Sequence, residues 1–318
     1  MPKRPIKSVI FGCQGLTLTP EEKDFFKKEN PLGLIIFARN IQEPEQLKAL
    51  IADFRRCVGR KNAPVLVDQE GGTVQRLKPP YWTKLPCASD YGILYRENPK
   101  KAVQAVRKHA RTLAKELSAV GINVDCWPCL DVEHVANNVM KKRCYSTDPE
   151  VVAELAQVAV DTALKAGLMP IVKHVPGYGR VVVDPHQKLP TVKTPLKTLE
   201  RTDFYPFRQV DRPVWGMTAH VIYQALDKEK PATLSPVAIR YIREKIGFDG
   251  FLICDDMAMG ALASYGTQPE IAEQLLSAGC DCVLHCSGIL ADMRAVAAAI
   301  PALSSEATRR LKQTENIL

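Results

Sequence analysis

Residues that can transfer protons or bind polar ligands are concentrated in one glycine-rich stretch in the second half of the chain. It reads KHVPGYG from Lys173 to Gly179 and is soon followed by Asp184-Pro185-His186. The apolar run Leu168–Val172 precedes it and is typical of a buried strand. Glycine permits backbone angles that other residues avoid, and proline fixes one of them. We therefore predict a shaped polar loop at the end of a strand, although a solvated strand-to-helix connection would have a similar composition.

Ionisable residues also follow most of the other apolar runs. Because a charge is costly to bury unless it is paired, such clustering at strand ends is typical of a functional site. Some of these residues also have simpler, structural interpretations. Asp256 could cap the next segment, and Asp131 could pair with an arginine. Lys173 and Arg76 could be structural ion-pair partners of Asp68. The residues concerned are Asp68, Glu70, Arg76, Asp131, Arg143, Lys173, His174, His220, Asp255, Asp256 and His285.

This set of side chains is rich in carboxylates and hydrogen-bonding bases and offers no plausible nucleophilic serine. Carboxylates combined with Arg, Lys and His suit the recognition of a polyhydroxylated, partly anionic ligand. One carboxylate could serve as a nucleophile or electrostatic partner while a second group protonates a leaving oxygen, as in glycosidases. No H-E-x-x-H or other compact metal-ligand spacing is present, so we expect no metal.

Eight apolar runs of strand length alternate with amphipathic stretches of helical period. Proline follows a capping residue at several predicted helix starts, as in Thr19-Pro20, Asp148-Pro149 and Thr194-Pro195, and glycine closes many helices. The predicted strands are Ser8–Gly12, Leu32–Ala38, Pro64–Asp68, Ile122–Asp131, Leu168–His174, Val214–Val221, Gly250–Asp255 and Cys280–Cys286. The predicted helices include Glu45–Val58, Ala102–Val120, Pro149–Ala166, Pro195–Val210, Pro236–Ile246 and Pro269–Ala278.

Strand–helix alternation repeated eight times predicts an α/β protein with a single-domain (β/α)8 barrel. A doubly wound sheet is the alternative, but it usually keeps a glycine-rich dinucleotide fingerprint after its first strand, which Gly12-Cys13-Gln14-Gly15 does not supply. No compositional break marks a linker. Residues 1–318 are therefore predicted to form one catalytic barrel, with a terminal helix after about residue 302. Barrel active sites form at the C-terminal ends of the strands, where the ionisable residues fall.

Composition is that of an ordinary globular protein, with 46% apolar residues and a formal net charge of +8. The basic residues are scattered, so the charge weakly favours acidic ligands and does not indicate nucleic-acid binding. No segment is long enough to span a membrane, and the apolar run Ser8–Phe11 is too short for a signal-peptide core. We expect no nucleic-acid partner, no membrane association and a cytoplasmic location.

Ten cysteines are present, and several lie inside apolar strand-like runs, where a free thiol acts as a small hydrophobe. Without a secretion signal, reduced thiols are favoured over a disulfide framework. Cys126-Trp127-Pro128-Cys129 has the C-x-x-C spacing of redox and zinc sites. It lies inside a strand-like run and lacks a second pair at zinc spacing, so we favour a structural role.

Five motifs, taken together and in order, resemble one enzyme family over nearly the whole chain. The chain is similar to the bacterial β-N-acetylhexosaminidases of glycoside hydrolase family 3, the NagZ type, whose single (β/α)8 barrel agrees with the fold predicted above. The motifs are Asp68-Gln69-Glu70-Gly71-Gly72 with Val74-Gln75-Arg76, Lys173-His174-x-Pro176-Gly177, Asp184-x-His186, Thr218-Ala219-His220 and Cys254-Asp255-Asp256-Met257.

The resemblance implies a retaining mechanism with a covalent glycosyl-enzyme. Asp255 matches the nucleophile and His186 the general acid/base of a mobile loop, a role that suits a group with a pKa near neutrality. Asp184 matches the carboxylate that orients His186 and stabilises its protonated form, as in an Asp–His pair of a triad.

The resemblance also implies which residues bind the sugar. The positions that match those contacting the N-acetylglucosamine hydroxyls are Asp68, Arg76, Arg143, Lys173 and His174. No cofactor and no metal are implied.

The family substrate is N-acetylglucosamine β-1,4-linked to 1,6-anhydro-N-acetylmuramic acid bearing a peptide, a muropeptide of cytoplasmic peptidoglycan recycling. We expect a monomer acting on this small molecule. Two residues depart from the family pattern: Tyr178 replaces a usual histidine, and Pro185 replaces a usual serine or threonine. Both changes bear on the motion of the loop that carries His186 and on the rate.

Three alternatives remain open. A phosphorylase or transglycosylase could use the same nucleophile with phosphate or a sugar in place of water. A catalytically weak sugar-binding homologue would bind ligand without turnover. A nicotinamide or flavin barrel enzyme is weakly supported, because no cofactor motif is visible.

Overall fold

Eight parallel strands form a barrel in the computed structural model, which describes residues 4–134, 140–183, 188–212 and 214–314. Each strand coincides with one of the eight predicted apolar runs. The barrel strands are β1 (Lys7–Phe11), β2 (Pro31–Ile36), β3 (Val65–Val67), β4 (Val124–Asp125), β5 (Met169–Val175), β6 (Trp215–Thr218), β7 (Phe251–Cys254) and β8 (Val283–His285).

Neighbouring strands in the sheet are also neighbours in the chain, and β1 pairs with both β2 and β8. The remaining gap, between β7 and β8, is bridged at Ile253 and Cys282. The Asp281 N–H donates to the Leu252 carbonyl at 2.7 Å and the Cys254 N–H to the Cys282 carbonyl at 3.3 Å. The sheet is therefore a nearly closed barrel, and the prediction of a single-domain (β/α)8 fold is confirmed.

Helices follow most of the strands and cover the outside of the barrel. The Thr19 hydroxyl and Glu22 carboxylate form the predicted capping box at the start of the first helix. The α-helices are α1 (Pro20–Glu29), α2 (Pro44–Val58), α3 (Ala88–Glu97), α4 (Pro99–Ala119), α5 (Pro149–Lys165), α6 (Leu196–Arg201), α7 (Tyr205–Arg208), α8 (Pro236–Tyr241), α9 (Gln268–Ala278), α10 (Leu290–Ala299) and α11 (Ser305–Lys312).

Shorter elements complete the described structure. A small antiparallel pair, Gln69–Gly71 with Val74–Gln75, extends from the end of β3, and Thr191–Val192 pairs with Ile222–Tyr223. A π-helical segment at Ile242–Ile246 continues α8. The 3₁₀ turns are Ala38–Asn40, Ala232–Leu234 and Gly260–Tyr265.

Two predicted elements are wrong in extent. The fourth strand was expected over Ile122–Asp131, but only Val124–Asp125 belongs to the sheet, and Pro128 has no N–H to donate to a ladder. The helix expected over Pro195–Val210 is divided into α6 and α7, and Pro195 caps α6 instead of opening it. Two helices, α3 and α10, were not predicted.

Burial explains why the strands could be recognised. Every residue of β2 and β5 is buried, because a parallel barrel strand packs against side chains on both faces.

All ten cysteines are free thiols, and Cys126 and Cys129 are both buried. No helix in the described part of the chain is long and apolar enough to cross a lipid bilayer.

Candidate active site

The C-terminal ends of the barrel strands bring most of the predicted site residues to one mouth of the barrel. Lys173 and His174 lie near the C-terminal end of β5, and Asp68 directly follows β3. His220 lies two residues beyond β6, and Asp255 directly follows β7. Parallel strands place these ends side by side, so residues far apart in sequence become neighbours.

Lys173 lies at the centre of a buried ion-pair cluster. Its Nζ lies 2.9 Å from Asp68 Oδ1 and 2.7 Å from Glu70 Oε1, and only 2% of its side chain is exposed. Burial alone would lower the pKa of Lys173, but the Asp68 and Glu70 carboxylates raise it above its usual value. Lys173 is therefore a fixed cation that positions two carboxylates.

Glu70 connects Lys173 to Arg143. The Arg143 guanidinium binds it with two bonds, Nη2 to Oε1 at 2.7 Å and Nε to Oε2 at 3.0 Å. Burial would raise the pKa of Glu70, but Arg143 and Lys173 lower it to about 2. Bidentate geometry fixes the plane of the guanidinium, so Glu70 determines where Arg143 presents its remaining N–H groups.

Arg76 completes this side of the cluster. Its Nη2 lies 3.5 Å from Asp68 Oδ2. Burial would raise the pKa of Asp68, yet the nearby Lys173 and Arg76 cations hold it below its usual value. Asp68 is only partly buried, with 18% of its side chain exposed, so an ionised carboxylate oxygen can reach a ligand at the barrel mouth.

His174 is oriented by Asp131. The ring Nδ1 lies 2.8 Å from Asp131 Oδ2, and the other carboxylate oxygen accepts the backbone N–H groups of His174 and Tyr178. Burial would raise the pKa of Asp131, but His174 lowers it. In the neutral ring, Nδ1–H donates to Asp131, which leaves Nε2 as an acceptor 3.5 Å from Arg143 Nη2.

Tyr178 is buried beside His174. The two rings meet edge to face with centroids 4.6 Å apart. The Tyr178 hydroxyl oxygen accepts the backbone N–H of His220 at 2.9 Å. His220 in turn places Nε2 3.1 Å from the Asp256 carbonyl, and burial lowers the pKa of its ring. Tyr178 therefore links the ends of β5, β6 and β7.

The first prediction concerns this hydroxyl. Tyr178→Phe should destabilise the protein by about 1–3 kcal/mol, because the buried His220 N–H loses its acceptor. The free energy of unfolding in urea measures the loss. Tyr81→Phe, at a tyrosine that is 54% exposed, is the matched control and should change stability by less than about 0.5 kcal/mol. Equal stability of the two variants would contradict the prediction.

Asp255 lies at the edge of this network and is half-buried. Its Oδ1 accepts the Asp256 N–H at 2.8 Å, and its own N–H donates to the Thr218 carbonyl at 3.2 Å. Within the described ranges, its carboxylate makes no ion pair. Asp256 instead accepts the backbone N–H groups of Ala258 and Cys286, each at 3.1 Å, so its carboxylate binds backbone and does not cap the following 3₁₀ turn, whose N-cap residue is Met259.

The structure thus joins five predicted site residues in one cluster, with Asp255 nearby. Asp184 and His186 lie outside the described residues. The sequence indicated Glu70 only as one of the ionisable residues at strand ends and gave it no role. It left Asp131 as a possible partner of an arginine, whereas the partner of Asp131 is His174. Their positions in Asp68-Gln69-Glu70 and at the end of the fourth apolar run were the only signals. The cluster comprises Asp68, Arg76, Arg143, Lys173 and His174, held together by Glu70 and Asp131.

Similarity to known proteins shows the family of this chain. The model of the glycosyl hydrolase family 3 N terminal domain matches residues 11–316. The chain belongs to this family. A Beta-hexosaminidase from Alkalilimnicola ehrlichii is 36% identical over 282 residues, which cover 88% of this chain and 80% of the relative.

Solved structures agree with the family 3 assignment. NagZ from Neisseria gonorrhoeae in complex with N-trifluoroacetyl-D-glucosamine has a TM-score of 0.84 and 32% identity, covering 100% of this chain and 96% of that one. A family 3 beta-N-acetylglucosaminidase from Paenibacillus sp. has a TM-score of 0.87 and 30% identity, covering 98% of this chain. This chain spans only 61% of the Paenibacillus protein. The family 3 chain is therefore a glycoside hydrolase, a β-N-acetylhexosaminidase.

A second prediction concerns the carboxylate behind His174. Asp131→Asn should change the His174 tautomer and raise the dissociation constant of N-acetylglucosamine about 10- to 100-fold. Asparagine has a single acceptor oxygen, so it cannot serve both the ring N–H of His174 and the backbone N–H of Tyr178. Nitrogen NMR of labelled histidine reports the tautomer, and calorimetry reports the binding.

The control is Asp249→Asn, at an exposed aspartate that pairs with Arg309 at 2.9 Å on the outside of the barrel. This variant should leave both measurements unchanged. An unaltered tautomer and affinity in Asp131→Asn would show that Asp131 does not orient His174.

Proposed function

We propose that this family 3 protein is a retaining exo-β-N-acetylglucosaminidase that removes N-acetylglucosamine from 1,6-anhydro-N-acetylmuramoyl peptides. Asp255 is the nucleophile, His186 the general acid/base, and Asp184 the partner of His186. The observation that carries the proposal is the position of Asp255, a half-buried carboxylate beside a rigid cluster of sugar-type hydrogen-bonding groups.

The cluster offers donors and acceptors in the mixture that a hexose requires. Arg143 and Lys173 supply N–H groups, Asp68 supplies an acceptor, and Nε2 of His174 supplies an acceptor when the ring is neutral. Each of these side chains is already fixed by a partner, so little conformational entropy is lost when a sugar binds. The gonococcal NagZ is in complex with N-trifluoroacetyl-D-glucosamine, which supports the same ligand class for this chain.

The first chemical step forms a covalent ester. A carboxylate oxygen of Asp255 attacks the anomeric carbon while His186 donates a proton to the glycosidic oxygen, and the bond between that carbon and oxygen breaks. The anhydro-muramoyl peptide leaves with the proton. Asp184 stabilises the protonated ring of His186 before this transfer.

The second step releases the sugar. His186, now neutral, takes a proton from water, and the water oxygen attacks the anomeric carbon and displaces Asp255. Two inversions give net retention of the β configuration. The polar cluster holds the sugar ring through both steps, so the anomeric carbon stays within reach of Asp255.

The test is nitrophenol release from a β-N-acetylglucosaminide by wild type and His186→Ala, with proton NMR of the first-formed anomer. The proposal expects β product and a variant slowed about 10²–10⁴-fold, with a flattened pH profile. An α anomer first formed would overturn retention. An unchanged rate in His186→Ala would remove the histidine from the reaction.

Product analysis separates the other family 3 possibilities. Incubation of an N-acetylglucosaminide with phosphate should give free N-acetylglucosamine, whereas a phosphorylase would give the sugar 1-phosphate. Binding of N-acetylglucosamine without turnover would favour the weak sugar-binding homologue. A comparison of the muropeptide with a chitin disaccharide then tests the substrate, and the proposal expects a higher kcat/KM for the muropeptide.

The same proposal extends to the organisation of the protein. Residues 1–318 act as one catalytic barrel, as a monomer, in the cytoplasm where muropeptides are recycled. Light scattering of the purified chain and fractionation of the producing cell test these points. A dimer, or activity confined to a membrane or periplasmic fraction, would contradict them.

A further inference from the structure

His174 of the sugar-binding cluster and two neighbouring side chains, Cys129 and Asp131, have the chemistry of metal ligands. The Sγ of Cys129, a carboxylate oxygen of Asp131 and the Nδ1 of His174 all lie within 4.8 Å of one another. Sγ and Nδ1 approach the same oxygen, Oδ2 of Asp131, at 2.9 and 2.8 Å. All three residues are at least 96% buried. Their ligand atoms face one another, whereas the other ring nitrogen of His174, Nε2, lies 3.5 Å from Arg143 Nη2.

Thiolate, imidazole and carboxylate are the ligands that zinc prefers in proteins. Zinc bonds of about 2.0–2.3 Å separate tetrahedral ligand atoms by roughly 3–4 Å, so Sγ and Nδ1, now 2.9 and 2.8 Å from Asp131 Oδ2, would each move away from that oxygen by about 1 Å. This set differs from the C-x-x-C pair, since Cys126 is not one of the three clustered ligands.

We propose that Cys129, Asp131 and His174 form a zinc site, and that zinc bound there weakens sugar binding. The second half of this statement rests on the proposed role of His174 in holding the sugar. The first half depends only on the three ligand atoms.

The coupling arises from the two nitrogens of one ring. Without metal, Nδ1–H of the neutral ring donates to Asp131, and Nε2 is an acceptor toward Arg143 at 3.5 Å. A metal on Nδ1 moves the ring proton to Nε2, while the Cys129 thiol releases its own proton to solvent. Nε2–H then faces the guanidinium donors of Arg143. The sugar loses an acceptor without any direct contact with the metal.

The fold does not depend on the ion. Without metal, Asp131 already accepts hydrogen bonds from the Cys129 thiol, the His174 ring and two backbone N–H groups. A chelator should therefore leave the free energy of unfolding almost unchanged, unlike that of a structural zinc domain. The ion acts as an inhibitor that competes with these hydrogen bonds.

Cobalt(II) is the probe, because a thiolate ligand gives it a charge-transfer absorption in the near ultraviolet. Titration of wild type should show this band saturating at a single site per chain, and zinc should remove it. Cys129→Ser should lose the band. Cys57→Ser, at a partly exposed thiol on α2, is the matched control and should keep it. A spectrum without a thiolate band, or one equal in Cys129→Ser and wild type, would overturn the site.

The coupling is measured by calorimetry with N-acetylglucosamine. Saturating zinc should raise the dissociation constant of the sugar about tenfold in wild type, and the sugar should weaken zinc binding by the same factor. Cys129→Ser should show no such effect. A thiolate band together with unchanged sugar affinity would overturn the coupling while leaving the site in place. Loss of sugar binding by metal-free wild type would count against the proposed function, and the cobalt band would still report the site.

Discussion

Asp255→Asn is expected to lower the rate of nitrophenol release on the order of 10⁴–10⁶-fold while N-acetylglucosamine still binds. The amide has the shape of the carboxylate but cannot form the ester intermediate. The local structure should persist, because an asparagine oxygen can still accept the Asp256 N–H that Asp255 Oδ1 accepts at 2.8 Å. Steady-state kinetics and calorimetry on the same sample separate catalysis from binding.

A matched control lies at the next residue. Asp256→Asn also removes one negative charge, and its amide oxygen can still accept the N–H groups of Ala258 and Cys286. A far smaller loss of rate is expected, because Asp256 binds backbone and not substrate in the proposed mechanism. If both variants lost activity equally, the effect would be one of local charge and Asp255 would not be the nucleophile.

The covalent intermediate provides an independent measurement. A fluorinated N-acetylglucosaminyl donor slows hydrolysis of the ester more than its formation, so the sugar should remain on the enzyme. Mass spectrometry of a proteolytic digest should find it on the peptide containing Asp255. A label on another carboxylate would identify a different nucleophile.

The barrel could be predicted because burial leaves a signal in the local sequence. Strand β5 is an apolar run that ends in Lys173 and His174, and every one of its residues is buried. Strand β4 shows the limit of the same reasoning. Its apolar run continues to Leu130, yet only Val124–Asp125 pairs in the sheet, while the Leu130 N–H makes a separate bond to the Lys173 carbonyl at 2.7 Å. Apolar residues indicate burial, but they do not specify hydrogen-bond partners.

The site could be predicted residue by residue but not as a network. Ionisable residues at strand ends identified Asp68, Lys173 and Arg143 as candidates, since a barrel brings strand ends together. Their connector, Glu70, lies 73 residues from Arg143, and no spacing rule relates two such positions. The pairing of His174 with Asp131 likewise depends on adjacent strands β4 and β5 and on side-chain directions. These are properties of the closed barrel and not of any local pattern.

Glu70→Gln is the variant expected to damage the cluster most. It removes the charge that pairs with both Arg143 and Lys173, and breaking a buried ion pair costs about 3–5 kcal/mol. The dissociation constant of N-acetylglucosamine should rise as well, because Arg143 loses its bidentate partner. Glu306→Gln, at an exposed glutamate that pairs with Arg309 on α11, is the control and should cost less than about 1 kcal/mol.

The dependence of stability on pH gives the same prediction a second test. The pKa of Glu70 is lowered from 4.5 to about 2 in the folded protein, which corresponds to about 3 kcal/mol of stability through linkage. Because the folded pKa is the lower one, this stability is fully present above pH 4.5 and is lost as the pH falls toward about 2. Wild type and Glu70→Gln should therefore differ most in unfolding free energy at pH 5–7 and converge on acidification. A difference that stayed constant from neutral to acid pH would mean that Glu70 acts through packing and not through its charge.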